Sequence, residues 1–244
     1  MPEIANDSDS FYNAAWEKWN DMIRYSPAPR LRRTRLLSWI KKKSGCKTLL
    51  DVGCGNGEFL LQARKELHGL AFSGADVSSA VIEANRASLP EITFTTLDLN
   101  RENLDRMHDV VTCMEVIEHC NDYREAISRL AAMTNNWLYL TVPCGPLFEI
   151  DHRVGHLRHF SPAEIHEALT SAGLTVTRLE AWGFPFFNIY KYLINMNPDK
   201  SCNAFLSNKA YSFSQKLLAT LVYFSFKLCI PSRGFQLFAE AKRS

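Results

Sequence analysis

The sequence predicts an α/β protein built on a doubly wound, mostly parallel sheet of seven strands, and three observations support this. From residue 46 onwards, short apolar segments alternate with helical patterns, which is typical of strands joined by crossover helices. Some segments, such as 109–114, are apolar almost throughout, as expected for strands covered on both faces. A glycine-rich turn directly follows the first segment.

Each element has its own pattern along the chain. Strands are predicted at 47–52, 71–76, 92–97, 109–114, 137–142, 176–182 and 234–241. Helices are predicted at 58–67, 79–88, 122–134 and 162–172, and Gly173 suits the left-handed position after the last of these. Ahead of the sheet, helices are expected at 11–24 and, after a break at 26–29, at 30–43.

The two N-terminal helices allow different interpretations. The aromatic helix 11–24 either packs on the core or forms a lid over a substrate pocket. The arginines and lysines of helix 30–43 are expected to form a solvated face, with an anionic substrate or an acidic lipid surface as the alternative.

We divide the chain into an N-terminal helical cap or lid (1–45), a ligand-binding core (46–183), an aromatic-rich helical insertion (184–233) and a final core strand (234–244). Within the insertion, residues 216–230 are apolar nearly all round. They number fewer than the roughly 20 residues that span a bilayer. A buried cap helix or a homodimer interface is the favoured interpretation, and a membrane-surface helix is the alternative.

Composition limits the function classes. The 244 residues are 46% hydrophobic and 22% charged, as in an ordinary soluble protein. A net charge of +2 argues against extensive nonspecific nucleic-acid binding. The seven cysteines form no C-x-x-C pair, and no export signal is visible at the N-terminus. We therefore expect reduced thiols and a cytoplasmic location.

The glycine-rich turn carries the most specific pattern. Gly53, Gly55 and Gly57 permit positive φ and a close approach of backbone to ligand. A dinucleotide fingerprint would place its third glycine at position 58, where the chain has Glu. The pattern beginning at Asp51 is instead D-x-G-x-G-x-G, which resembles the first motif of the class I S-adenosylmethionine (SAM)-dependent methyltransferases.

This resemblance implies the Rossmann-like methyltransferase fold, with SAM as the cofactor of the core 46–183. It implies that Asp51 and the backbone of 53–57 hold the amino-acid end of SAM. Asp76, followed by Val77, ends the second strand about 20 residues after the turn, where a carboxylate can accept hydrogen bonds from ribose hydroxyls. A helix N-cap is the alternative role for Asp76.

The resemblance assigns further positions around the adenosine. Asp98 is similar to the acidic residue that reads the adenine amino group, beside the backbone of Leu99. Met114 and Glu115 would flank the adenosine at the end of the fourth strand. The family's usual Pro-Gly-Gly turn before strand five is replaced by residues 134–136, where asparagine is expected to supply the left-handed conformation.

Two segments are candidates for the reacting side. Glu115-x-x-Glu118-His119 and the later Gly-His156-x-Arg-x-Phe are similar to a pattern of bacterial small-molecule and polysaccharide-linked methyltransferases. They also resemble the metal site of small-RNA 2′-O-methyltransferases and ubiquinone-pathway O-methyltransferases. By that resemblance, Glu115, Glu118, His119 and His156 would hold a divalent ion, for which mixed oxygen and nitrogen ligands are suitable.

A mechanism without metal is the favoured interpretation of the same residues. His119 would then act as the base, oriented by Glu118, with His156 as a further catalytic residue, because histidine titrates near neutrality. His152 and His159 are interpreted as loop histidines bonded to backbone, or as further candidates for this role.

We therefore predict a SAM-dependent methyltransferase that acts on a small molecule or biosynthetic intermediate, at oxygen. One alternative is an RNA 2′-O-methyltransferase with a metal-assisted site, suggested by Glu118, His119 and the basic helix. The other is a non-catalytic SAM-binding subunit that uses the insertion as a partner surface.

Overall fold

The computed structural model describes residues 20–205 and 211–243, and its sheet confirms the predicted fold class. The strands are β1 (Thr48–Val52), β2 (Ala71–Asp76), β3 (Thr93–Thr96), β4 (His108–Met114), β5 (Thr134–Pro143), β6 (Leu174–Trp182) and β7 (Gln236–Arg243). Their order in the sheet is β3-β2-β1-β4-β5-β7-β6. β7 pairs antiparallel with both of its neighbours, β5 and β6, and the other strand pairings described are parallel.

Helices cover the sheet and extend beyond it. They are α1 (Asn20–Tyr25), α2 (Pro27–Ile40), α3 (Glu58–Glu66), α4 (Ser79–Ser88), α5 (Tyr123–Ala132), α6 (Glu149–Arg153), α7 (Pro162–Ser171), α8 (Phe186–Asn195), α9 (Pro198–Phe205) and α10 (Phe213–Phe226), with a 3₁₀ turn at Ile117–His119. Most of the helix expected at 11–24 lies outside the described residues. Its proposed lid role therefore stays a prediction.

Alternate residues of each central strand face opposite sides of the sheet, as the strand period requires. Leu50 and Val111 belong to a core cluster with α5 and α7. Leu49 and Val110 belong to a second cluster with α2, α3, α8 and α10. The N-terminal helix α2 and the insertion therefore pack on the same face of the sheet, beside one another.

The turn expected before β5 is absent, and this prediction was wrong. Thr134, Asn135 and Asn136 are the first residues of β5, and the only described non-glycine residue with positive φ is Glu115. Asp109 explains the extended course, because its Oδ1 accepts hydrogen bonds from the side-chain amides of Asn135 (3.0 Å) and Asn136 (3.3 Å).

The break expected at residues 26–29 was also placed wrongly. Ser26 is the residue that precedes α2, and Pro27 and Pro29 lie in its first turn. The first turn has no intrahelical acceptor for its N–H groups, so proline is tolerated there. Helix α2 consequently begins three residues before the predicted helix and ends at Ile40.

Three arginines of α2 do not form the expected solvated face. Arg33 is buried and donates hydrogen bonds to the carbonyls of Ile23 (2.8 Å) and Arg24 (3.3 Å). Arg35 pairs with Glu180 of β6, and Arg32 pairs with Glu115. The reason is that α2 packs against the sheet, so these side chains reach neighbouring elements rather than water. Burial lowers the pKa of Arg33 to about 10.

Candidate active site

The glycine turn between β1 and α3 has the left-handed backbone that its sequence predicts. Gly53, Gly55 and Gly57 have φ of 73°, 51° and 72°. A Cβ at Gly53 would lie 2.1 Å from Val116 Cγ2, so only glycine fits against the segment that follows β4. The turn and the 115–119 segment are therefore in direct contact.

Asp76 lies at the end of β2 and holds the turn in place. Its Oδ2 accepts a hydrogen bond from Gly55 N at 2.9 Å, and its Oδ1 accepts one from Ser78 N at 3.0 Å. Ser78 caps α4, because its hydroxyl accepts from Val81 N. The carboxylate of Asp76 is thus buried at the strand end beside the glycine turn, and Val77 is half-buried next to it.

Asp51 lies beneath the turn and is almost fully buried. Its Oδ1 accepts a hydrogen bond of 2.7 Å from the Thr112 hydroxyl on β4. Burial raises the pKa of Asp51 to about 7, with the neighbouring charge of Asp76 adding to the shift and the Thr112 hydrogen bond opposing it. The pKa of the buried Asp51 carboxyl is therefore close to neutral pH.

The residues that the resemblance assigns to the adenosine site lie after β3 (Asp98 and Leu99) and at the end of β4 (Met114). Asp98 is partly exposed, accepts from Asn100 N at 3.0 Å and pairs with Arg101 at 3.3 Å. Leu99 is buried, and its carbonyl accepts from Arg129 at 2.8 Å. Met114 is the half-buried last residue of β4. These residues lie at the same edge of the sheet as Asp51 and Asp76.

Glu115 has a strained backbone and a fully engaged side chain. Its φ is 58°, a conformation that non-glycine residues adopt rarely and that is concentrated at functional sites. Its Oε1 accepts from Thr141 Oγ1 (3.1 Å) and Gln236 Nε2 (2.8 Å), and its Oε2 lies 3.3 Å from Arg32 Nη1. Three different elements thus fix the orientation of this carboxylate.

The 3₁₀ turn after β4 and the loop after α6 bring three predicted residues together. Glu118, His119 and His156 each offer one atom that could bind a metal, and these three atoms lie within 4.8 Å of one another. The rings of His119 and His156 are 4.9 Å apart, edge to face. His119 Nδ1 is 2.9 Å from the Gly155 carbonyl, which can only accept. In the neutral ring the proton is therefore on Nδ1 and the lone pair on Nε2.

Burial is the main cause of the pKa shifts of the three residues in this cluster. It raises the pKa of Glu118 well above its ordinary value, and the charge of Glu115 adds to the effect. Burial lowers the pKa of His119 and lowers that of His156 to about 2, where the neighbouring histidines contribute further. The three residues therefore favour their neutral forms in the absence of a bound cation.

A second cluster joins the histidine loop to the insertion. Asp151 Oδ1 lies 2.6 Å from Lys191 Nζ on α8, and Asp151 Oδ2 lies 3.5 Å from His159 Nε2. The same Nε2 of His159 lies 3.2 Å from Nδ1 of His156. His159 is thus more than a loop histidine bonded to backbone, whereas His152 is exposed.

The Glu118, His119 and His156 set fits a divalent metal ion. Both carboxylate oxygens of Glu118 are buried and have no hydrogen-bond partner in the described part of the chain. Such orphaned acceptors are rare in proteins, and one carboxylate with two imidazoles is a ligand set used for divalent metals. Glu115, the fourth residue suggested by the resemblance, is instead held by Arg32, Thr141 and Gln236.

Comparison with known proteins decides the family. The sequence model of a family described as "Methyltransferase domain" matches residues 22–179, which is more than half of the chain. The chain belongs to this methyltransferase family. The match includes α2, the glycine turn, Asp76 and the Glu118, His119 and His156 cluster.

Curated relatives of this methyltransferase include two ubiquinone biosynthesis O-methyltransferases. That of Vibrio vulnificus is 32% identical over 137 residues, which are 52% of this chain and 57% of the relative. That of Vibrio cholerae is 25% identical over 222 residues, which are 79% of this chain and 88% of the relative. The first match therefore spans little more than half the length of that relative.

Solved structures share the fold at low identity. The N-methyltransferase NodS from Bradyrhizobium japonicum, crystallised with S-adenosyl-L-homocysteine, superposes with a TM-score of 0.63. It is 14% identical, and the superposition covers 98% of this chain and 99% of that one. This similarity supports the fold of this methyltransferase and carries no information about its acceptor.

Several site residues of this methyltransferase escaped sequence reasoning. Arg32 and Gln236 hold Glu115 from α2 and β7, and they lie 204 residues apart in the chain. Asn85 of α4 donates a 2.7 Å hydrogen bond to the carbonyl of Gly55. No local pattern marks these positions. Asp151 directly precedes His152 in the sequence, but its pairing with Lys191 required the fold.

Proposed function

We propose that this methyltransferase transfers the methyl group of SAM to a hydroxyl oxygen of a small molecule. The observation that carries the proposal is the contact between the cofactor turn and the catalytic segment. Gly53 abuts Val116, and Val116 directly precedes the 3₁₀ turn that holds Glu118 and His119. A sulfonium held at the glycine turn would thus lie near the buried base.

The strand ends supply the groups that a bound SAM needs. Ligands of open α/β sheets lie outside the carboxyl ends of the strands, and the glycine turn, Asp76, Asp98 and Glu115 are all there. In the proposed complex Asp76 accepts hydrogen bonds from the ribose hydroxyls, and Asp51 lies behind the amino-acid end. Asp98 with Leu99, and Met114 with Glu115, contact the adenosine.

Methyl transfer from a sulfonium has an excellent leaving group, so the protein mainly positions the acceptor and removes its proton. His119 is suited to the second task. Its Nδ1–H donates to the Gly155 carbonyl, so the lone pair of the neutral ring is on Nε2. Burial keeps the ring neutral and therefore able to accept the hydroxyl proton.

A divalent ion is the alternative to a histidine base at this site, because a lone pair on Nε2 that binds a metal cannot also accept a proton. Glu118, His119 and His156 would hold it, and a bound ion would supply Lewis-acid activation by lowering the pKa of the acceptor hydroxyl. Elemental analysis of the purified protein, together with activity before and after EDTA treatment, tests this alternative. Full activity of demonstrably metal-free protein contradicts it and leaves His119 as the base.

Three observations support a small-molecule acceptor over RNA. The curated relatives are named as O-methyltransferases of ubiquinone biosynthesis. Arg32, Arg33 and Arg35 of the basic helix are engaged inside the protein, which leaves fewer charges on α2 for a phosphate backbone. The chain as a whole is also close to neutral.

The test is incubation of the purified protein with methyl-labelled SAM and, separately, with aqueous extract, lipid extract and total RNA of the source organism. The proposal expects label in a small molecule, as an O-methyl group identified by mass spectrometry. Label on nitrogen or in RNA contradicts it. SAM that is bound but never consumed, with every extract, would favour the non-catalytic subunit.

A further inference from the structure

The insertion concentrates the exposed apolar surface of the protein. In the described residues, 15 large hydrophobic side chains are exposed, and 13 of them lie between positions 184 and 230. Soluble monomers rarely expose a contiguous apolar patch without a use for it. This concentration shows that α10 is not a fully buried cap helix, which was one of the two favoured interpretations of 216–230, whereas the homodimer interface stays a prediction.

Four of the five exposed large hydrophobic residues of α10 form one stripe, and the fifth is Leu218. Phe213, Leu217, Leu221 and Phe224 recur every three or four residues, which places them on one side of the helix. Their exposed fractions range from 51% to 84%. We call these four residues the outer stripe.

The opposite side of α10 is firmly attached to the core. Tyr223 and Phe226 are buried, and the Phe226 ring lies 6.0 Å from Trp182, 5.4 Å from Phe187 and 5.5 Å from Tyr190. Because this side is packed against β6 and α8, the helix cannot turn its outer stripe inwards without losing those contacts. The stripe is therefore a fixed feature of the surface.

Helix α8, which contacts α10 through Tyr190 and Phe226, carries a similar stripe. Phe186, Ile189 and Leu193 are exposed at helical spacing, and the exposed Met196 follows the helix. Two adjoining helices of the insertion thus both present apolar side chains to the outside.

The charge of the insertion indicates what covers these stripes. Residues 184–233 contain six Lys or Arg and one Asp, whereas the rest of the chain has 22 basic and 25 acidic residues. Lys191 is paired with Asp151 and nearly buried, so it does not add to the surface charge of the insertion. Lys216 and Lys227 belong to α10 and its end. A positively charged apolar surface suits anionic lipid headgroups. The same excess of charge would repel a second copy of the insertion.

We propose that α8 and α10 of the insertion dock on the surface of an anionic lipid bilayer, with the outer stripe in the headgroup region. No helix among the described residues is both long and apolar enough to cross a bilayer, so the contact is interfacial. This goes beyond the proposed function, since binding to a bilayer requires neither SAM nor a methyl acceptor.

The test is co-flotation of the full chain with vesicles of phosphatidylcholine alone or mixed with phosphatidylglycerol. We expect binding to the anionic vesicles that weakens with salt. The variant Leu217→Ser/Leu221→Ser/Phe224→Ser should bind at least about tenfold more weakly, because it removes the inserted apolar surface. Met107→Ser, at an exposed apolar residue outside the insertion, is the matched control and should bind normally.

A second pair of variants tests the charge. Lys216→Gln/Lys227→Gln should weaken binding about fivefold per lysine. Lys42→Gln/Lys65→Gln removes the same net charge from exposed positions elsewhere and should have little effect. Equal losses in both pairs would contradict docking through the insertion.

Two further results overturn the proposal. One is the absence of binding to anionic vesicles at low salt. The other is a dimer in sedimentation that the triple serine variant converts to monomer while vesicle binding is unaltered.

The affinity for S-adenosylhomocysteine is measured on every variant as the folding control. It should stay at the wild-type value, which shows that the variant is folded. Failure of methyl transfer alone leaves vesicle binding intact, so the two proposals fail separately.

Discussion

Asp51, Asp76 and Glu118 are three carboxylic side chains buried near the ends of strands, and their hydrogen bonds differ. Asp76 accepts from two backbone N–H groups, and Asp51 accepts from one threonine hydroxyl. Neither oxygen of Glu118 has a hydrogen-bond partner within the described residues. Burial raises the pKa of Asp51 and of Glu118. Unsatisfied buried carboxyls are costly, which makes a ligand-binding role the best explanation for Glu118.

Asp51 gives a prediction about pH. Its pKa is raised from 3.8 to about 7 on folding, so between these values the folded protein retains a proton that the unfolded chain has lost. The free energy of unfolding of the SAM-free protein should therefore fall as pH rises from about 4 to 7, by on the order of 4 kcal/mol from this group.

Asp51→Asn tests this prediction, because asparagine can still accept from Thr112 and does not titrate. Denaturant unfolding at several pH values should show a shallower decline for the variant than for the wild type. Parallel curves for the two proteins would show that Asp51 titrates normally in the folded state.

His119 gives a prediction about catalysis. His119→Ala should reduce the rate of methyl transfer by about 10²- to 10⁴-fold, because it removes the proposed base or metal ligand. Affinity for S-adenosylhomocysteine should be unchanged. His152→Ala is the matched control, since His152 is an exposed histidine on the neighbouring helix α6, and it should keep full activity. Full activity of His119→Ala excludes either role.

Among the elements, β1 to β4 were predictable because each is a short segment with β-branched or aromatic residues that runs into a turn or loop. Strand β2, for example, spans the predicted residues 71–76. Strand β5 was predicted at 137–142, but its start at Thr134 was not, because its first residues are polar and two of them, Asn135 and Asn136, are held by Asp109 on β4. The inner and outer sides of α10 could not be separated either, since both are apolar in sequence.

Lys191 on helix α8 gives a prediction about stability and activity. Lys191 Nζ lies 2.6 Å from Asp151 Oδ1, and both side chains are nearly buried, so this ion pair ties the insertion to the histidine loop. Lys191→Met should lower the free energy of unfolding by about 3 kcal/mol, because the carboxylate loses its partner. It should also lower kcat/KM by displacing His156 and His159.

The double variant Lys191→Met/Asp151→Asn should recover most of that stability, since no unpaired charge remains. Chemical denaturation and steady-state kinetics measure both effects. Lys200→Met, at an exposed lysine on α9, is the control. A single variant as stable and active as this control would show that the ion pair does not couple the insertion to the site.

At the scale of the whole molecule, the sequence supported the fold class and the positions around the glycine turn, because these depend on local patterns. The same reasoning could not place Arg32 and Gln236 around Glu115, since these residues come from α2 and β7 at opposite ends of the chain. Nor could it show the positive φ of Glu115, which no residue type signals. The division into a cap, a core, an insertion and a final strand stays a proposal.

The central claim is that the carboxyl ends of the strands bind SAM through the glycine turn and Asp76. Calorimetric titration with S-adenosylhomocysteine tests it most directly, with Asp76→Asn as the variant and Glu102→Gln, at an exposed carboxylate, as the control. We predict one site per chain in the wild type and in the control, and at least about tenfold weaker binding in Asp76→Asn. No binding to the wild type, or equal affinity in the folded Asp76→Asn variant, would contradict the claim.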